Sequence, residues 1–179
     1  MLRPLFSLLV LLLAGRVAAA ETVSAPAPAS ALAGDWKIDL TRGTELSPWK
    51  DYLLTITVDG DTVTLGRRLA WASREFNDQL TVHAGQTVTA PVVMWPDNRH
   101  LGAYISDAHS KRVRAEWLDG GRLLRLSTDL VLETQQGPRA INILGDYKVS
   151  ASGNQLTLTE LRSTRNSPIV YFFNRVAQP

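Results

Sequence analysis

From Gly34 onward, apolar and polar residues exchange places at every second position in short runs, with turn-forming residues between the runs. A period of two sends successive side chains to opposite faces of an extended strand, whereas a helix would need apolar residues at every third or fourth position. Eleven such runs can be marked, at 35–40, 53–58, 62–69, 80–83, 92–95, 102–106, 113–118, 123–132, 141–150, 156–162 and 169–176. No segment keeps a helical period; residues 71–80 (WASREFNDQL) are the one place where one or two helical turns are expected.

Three turns have hairpin chemistry. Asp59-Gly60-Asp61, Asp119-Gly120-Gly121 and Ser152-Gly153-Asn154 each lie between two alternating runs. Gly and Asn accept the positive φ of a tight turn without steric penalty. Around the first turn, Leu54, Ile56 and Val58 share a face with Val63 and Leu65; around the third, Tyr147 and Val149 face Leu156 and Leu158. Around the middle one, a Gly120-Gly121 turn sets Trp117 opposite Leu124, Ala115 opposite Leu126 and Glu116 opposite Arg125. A shift to Asp119-Gly120 would oppose Arg114 to Arg125, and like charges directly across a strand pair are unfavourable.

Sequential hairpins make an antiparallel meander, and a flat sheet of this many strands would leave two long unpaired edges. Closure removes them. The expected fold class is therefore all-β: a single antiparallel meander barrel of about 8–10 strands with little helix, over residues 34–176.

The N-terminal region reads differently. Met1-Leu2-Arg3 is a short basic start, residues 5–13 are almost wholly apolar, and Ala18-Ala19-Ala20 offers small residues where a signal peptidase cuts. This is the pattern of a secretory signal, with cleavage expected after Ala20. The apolar run falls short of the roughly 20 residues that span a bilayer. Residues 21–33 form a Pro/Ala-rich leader. Removing Arg3 and Arg16 from the 19 basic residues leaves 17, against 17 acidic ones, so the mature chain has no net charge to draw it to nucleic acid or anionic lipid. With no cysteine, the chain has no disulfide and no lipid attachment at a cleavage-site thiol. The expected localisation is exported, in the periplasm or the medium. The predominance of Arg over Lys and the Ala-rich signal point to a bacterial source.

The two ends of the barrel region carry a family likeness. Leu32-Ala33-Gly34-Asp35-Trp36-Lys37 is a Gly-x-Trp entering the first run, and Tyr171-Phe172-Phe173-Asn174-Arg175 places an Arg on the last. Gly145-Asp146-Tyr147 is a looser echo of a Thr-Asp-Tyr motif. Together these resemble the calycin group, and in particular bacterial exported lipocalin-like proteins. The resemblance implies that Trp36 and Arg175 pack together beside Gly34 where the ends of the barrel meet. It also implies a ligand in the barrel.

Catalytic signals are sparse. His83, His100 and His109 have no metal-ligand spacing. Asp107-Ala108-His109-Ser110 has the residue types of a nucleophilic triad, but on an extended chain Ser110 points away from the other two, and no Gly-x-Ser-x-Gly elbow occurs. No cofactor and no metal site are expected. The leading expectation is a non-catalytic barrel binding a small, partly apolar molecule, with Trp49, Trp95, Tyr104, Trp117 and Tyr147 as candidate contacts. The alternatives are an envelope interaction or inhibitor module that uses the basic face of Arg112, Arg114 and Arg125 to hold a protein partner, and an enzyme with a titratable cluster inside the barrel.

Overall fold

The structure, a computed structural model, describes residues 29–43, 49–71, 73–93, 104–105 and 109–177. The signal, most of the leader, Trp95, His100 and Asp107 lie outside the described residues. Eleven strands follow in chain order: β1 (Gly34–Ile38), β2 (Asp51–Asp59), β3 (Thr62–Trp71), β4 (Arg74–His83), β5 (Thr87–Pro91), β6 (Tyr104–Ile105), β7 (Ser110–Leu118), β8 (Leu123–Thr134), β9 (Gly137–Val149), β10 (Gln155–Arg162) and β11 (Ile169–Arg175). Helical backbone among the described residues is confined to 3-10 turns at Ala29–Leu32 and Asp119–Gly121.

Every ladder is antiparallel, and neighbouring strands run β4-β3-β2-β1-β11-β10-β9-β8-β7-β5, with the short β6 paired to β8. The first and last strands join through Trp36 opposite Arg175. The free edges of the order, β4 and β5, connect through a turn at which Gly85 N donates to Ala115 O at 2.8 Å and Ala84 bridges Ala115. Beyond that point no ladder joins β4 to β5 or β7 among the described residues. The barrel is thus nearly closed, with one seam between β4 and the β5–β7 side.

The expected registers hold. Ala115, Glu116 and Trp117 pair with Leu126, Arg125 and Leu124. Val58 and Ile56 meet Val63 and Leu65, and Tyr147 and Val149 meet Leu158 and Leu156. Gly60, at φ 55°, supplies the left-handed position of the first turn.

Two expectations are corrected. The described residues of 71–80 contribute no helical turn: Arg74–His83 is strand β4, paired along its length with β3. The strand alternation was hidden because Asp78 occupies an inward position between Phe76 and Leu80. Of the strand expected at 92–95, Val92 and Val93 lie outside any strand and residues 94–95 are outside the described set; the strand here is Thr87–Pro91, where the β-favouring Thr-Val-Thr run pairs with β7 and ends at a proline. Proline is tolerated there because an edge strand needs no further N–H donor.

Inward residues form two apolar clusters. The larger joins Trp36, Leu54, Ile56, Val63, Leu65, Leu124, Leu156, Leu158 and Phe173 with their neighbours around the β1–β11 junction. The smaller comprises Val92, Leu130, Leu132 and Ile141 with Ile143 packed against them.

Candidate functional site

One end of the barrel is a structural plug. Trp36 is fully buried, and its Nε1 donates to Leu32 O at 3.0 Å. The Arg175 guanidinium lies over the indole, with Cζ 4.0 Å from the ring centroid. Its three nitrogens donate to the carbonyls of Gly153, Ala33 and Ala31, each at 2.7 Å. One side chain therefore ties the β9–β10 turn and the Ala29–Leu32 turn to the last strand. Gly34 passes directly beneath it with φ 135°, and a Cβ there would collide with Arg175 Nη1. Tyr52 adds edge-on contacts to Phe173 at 5.1 Å and Tyr171 at 6.4 Å between ring centroids.

Between the two apolar clusters the lumen changes character. The inward positions of β3 are Val63, Leu65, Arg67 and Leu69; those of β4 are Phe76, Asp78, Leu80 and Val82. Arg67 and Asp78 stand directly opposite each other and form a two-point ion pair through Nε, at 2.7 Å, and Nη2. Burial works against the Arg67 charge, but the Asp78 hydrogen bonds together with the attraction of Tyr52, Asp78 and Tyr147 outweigh it and hold the guanidinium firmly protonated. From β10, Glu160 accepts from Arg162 Nε at 3.1 Å, and Arg162 is buried.

Lys111 enters from β7, across the seam. Its Nζ lies 4.0 Å from Asp78 Oδ2, the carboxylate that Arg67 already engages. Burial, reinforced by the Arg67 charge, lowers the Lys111 pKa from 10.5 to about 8, and Asp78 offsets this only in part. Burial likewise raises the phenol pKa values of Tyr52 and Tyr147, and pushes that of Tyr171, which hydrogen-bonds Trp49, up to about 12.

Beside them lies a cavity of about 80 Å³ whose apolar walls come from both clusters: Leu65, Leu80 and Leu126 on one side, Val92, Leu130 and Ile143 on the other. Arg67, Lys111, Tyr147 and Glu160 provide its polar surface. It has room for a few waters and is smaller than the roughly 300–1,000 Å³ usual for ligand pockets. A larger guest therefore requires strands to part, and the unlaced seam beside Lys111 is where the backbone offers least resistance.

Of the residues marked in the sequence as ligand contacts, Tyr147 lines this cavity. Trp49 is buried in the main core, and Trp117 packs half-buried against that core; neither reaches the cavity. Tyr104 lies on β6, with its side chain outside the described set. On the outer face, Arg125 grips Asp146 with two bonds of 2.7 Å, and Arg114 donates to Glu116 at 2.8 Å. Arg112 borders a wider, open hollow of about 530 Å³ between β7, β8 and β9. Arg67, Asp78 and Glu160 were not singled out in the sequence. The available signal was a charged residue at an inward position of an otherwise apolar alternation, as in Val-x-Leu-x-Arg-x-Leu.

No family model matches the chain, and no curated protein sequence matches it. Among solved structures, a Schistosoma mansoni fatty acid binding protein in complex with arachidonic acid aligns over 84% of this chain and 100% of its own, with 11% identity and a TM-score of 0.52. A secretory abundant heat soluble protein from Ramazzottius varieornatus aligns over 82% of this chain and 96% of its own, with 11% identity and a TM-score of 0.50. Human cRBP IV aligns over 81% and 98%, at 14% identity and a TM-score of 0.49. At such identities the likeness is one of fold alone: this chain shares an antiparallel meander barrel with these proteins.

Proposed function

We propose that this protein is an exported, non-catalytic bacterial barrel that takes a small, partly apolar molecule into its lumen. The observation that carries the reading is the cavity between the two apolar clusters. It has aliphatic walls for affinity, a few convergent polar groups for orientation, and an adjacent seam through which the barrel can admit a guest. A solved barrel of the same fold with arachidonic acid bound supports it, as an analogy of fold. Export rests on the segment from Met1 to Ala20.

The other two readings are less well supported. An interaction module on the basic sheet face would start with Arg125 and Arg114 already engaged by carboxylates. An enzyme would need a second reacting group beside Lys111, and no serine or histidine is among the cavity's described lining residues. The test is mass spectrometry of the mature protein purified from its own source, under native and denaturing conditions. A reproducible extra mass lost on denaturation identifies a carrier and weighs the ligand; a bare mass on folded protein turns the search to surface partners.

A further inference from the structure

We infer that the guest carries a single negative charge and that its charged end rests against Lys111, at the seam between β4 and β7; this builds on the lumen-binding reading above. The argument is one of charge balance in a confined space. Among the described residues, the charged side chains facing the cavity region come from four strands: Arg67 from β3, Asp78 from β4, Lys111 from β7, and Glu160 with its partner Arg162 from β10. β8 and β9 contribute Thr128, Leu130, Ile143 and the neutral phenol of Tyr147; the inward residues of β5 are Val88 and Ala90.

These charges do not cancel. Glu160 is matched by Arg162, and Asp78 is matched by Arg67 in a two-point bond. Lys111 is left with a share of an oxygen that is already engaged, 4.0 Å away. Its side chain is only 12% exposed, so water cannot fully compensate, and a buried charge without its own partner is costly. The fall in its pKa to about 8 reflects that cost. One anionic oxygen beside Nζ would bring the cluster to neutrality. A neutral head leaves the excess in place, a cationic head adds to it, and a dianion overshoots. The apolar remainder of such a guest would lie against Leu130, Val92 and Ile143, which line the same cavity.

A proton should accompany the guest. An anion beside Lys111 stabilises its charged form and raises its pKa. Above about pH 8 the empty protein holds Lys111 neutral, so binding there must take up a proton, and affinity for the anion falls as pH rises.

The test compares octanoate with 1-octanol, which differ only in the head group, as competitors of the neutral probe N-phenyl-1-naphthylamine. At about pH 7, octanoate should compete at least about tenfold better, and the preference should shrink at about pH 9.5, where Lys111 has lost its proton. Lys111→Met should abolish the preference at both pH values, and Lys111→Arg, which stays charged, should keep it at the higher one. Titration calorimetry in buffers of different ionisation enthalpy should register proton uptake with octanoate and none with octanol. Circular dichroism shows which variants are folded, and the wild-type pH comparison stands without them. If the probe binds but octanoate and octanol compete equally, or the preference ignores pH, the charge inference is overturned while the lumen reading stands. If none of the three binds folded protein, the lumen reading fails, and this inference fails with it.

Discussion

Trp36→Ala is the sharpest test of the plug. Trp36 is completely buried, and an indole removes about 150–250 Å² from water. At about 25 cal/mol/Å² that is about 4–6 kcal/mol, of which an alanine methyl recovers about 1. The net of about 3–5 kcal/mol matches measured costs of truncating buried aromatics. The variant also loses the Nε1 bond to Leu32 O and the stacking of Arg175, whose two bonds to the Ala31 and Ala33 carbonyls keep the Ala29–Leu32 turn in place. A total of about 5 kcal/mol in a domain of this size corresponds to a melting point lower by about 10–20 °C. Thermal melts followed by far-UV circular dichroism measure it. Trp36→Phe, which keeps most of the packing, should fall between the two. A double-mutant cycle of Trp36→Phe with Arg175→Met should show coupling of about 0.5–2 kcal/mol. A Trp36→Ala melt within about 3 °C of wild type would refute the closure argument, because no void of that size at the junction of first and last strands can be so cheap.

Gly34→Ala should lower stability by about 1–3 kcal/mol, since φ is 135° and the new Cβ strikes Arg175; an unchanged melt would mean that the guanidinium can move aside freely. Tyr171 has its pKa raised to about 12 by burial, and Tyr52 and Tyr147 are raised for the same reason. The unfolded chain therefore releases these protons first, near pH 10, and stability should be intact below that and lost as pH rises toward 12; an absorbance titration should show them ionising only with unfolding, and early ionisation of Tyr52, Tyr147 and Tyr171 in folded protein would contradict their burial. Arg112→Glu combined with Arg114→Glu should leave probe binding in the lumen unchanged, because both side chains are exposed on the outer face; loss of probe binding in folded protein would move the ligand site to that face.

The barrel was legible because each of its rules is local. Two-residue alternation distinguishes strand from helix, Gly60 marks a turn by its backbone freedom, and the cost of opposing Arg114 to Arg125 picks one register of the middle hairpin. Trp36 and Arg175 were matched through the resemblance of the chain's two ends to the calycin group, and the pairing of the first and last strands brings them together. Where a strand breaks its own alternation the reading failed: Asp78 in β4 looks helical or looped until Arg67 is seen opposite, and the weak Thr87–Pro91 run becomes a strand only because β7 offers it an edge.

By itself, the sequence determined that this chain becomes a single disulfide-free antiparallel meander with its ends joined, since periodicity, turn chemistry and cysteine content are properties of neighbouring residues. Only the tertiary structure decided where the charges go. Arg67, Asp78, Lys111 and Glu160 are scattered over nearly a hundred positions, and nothing in their spacing says that four strands turn them toward one cavity. Whether a charge faces water or the lumen depends on the parity of its strand position once the barrel has closed. That closure, made of contacts between residues far apart in the chain, also left Lys111 buried at the seam with a carboxylate it must share.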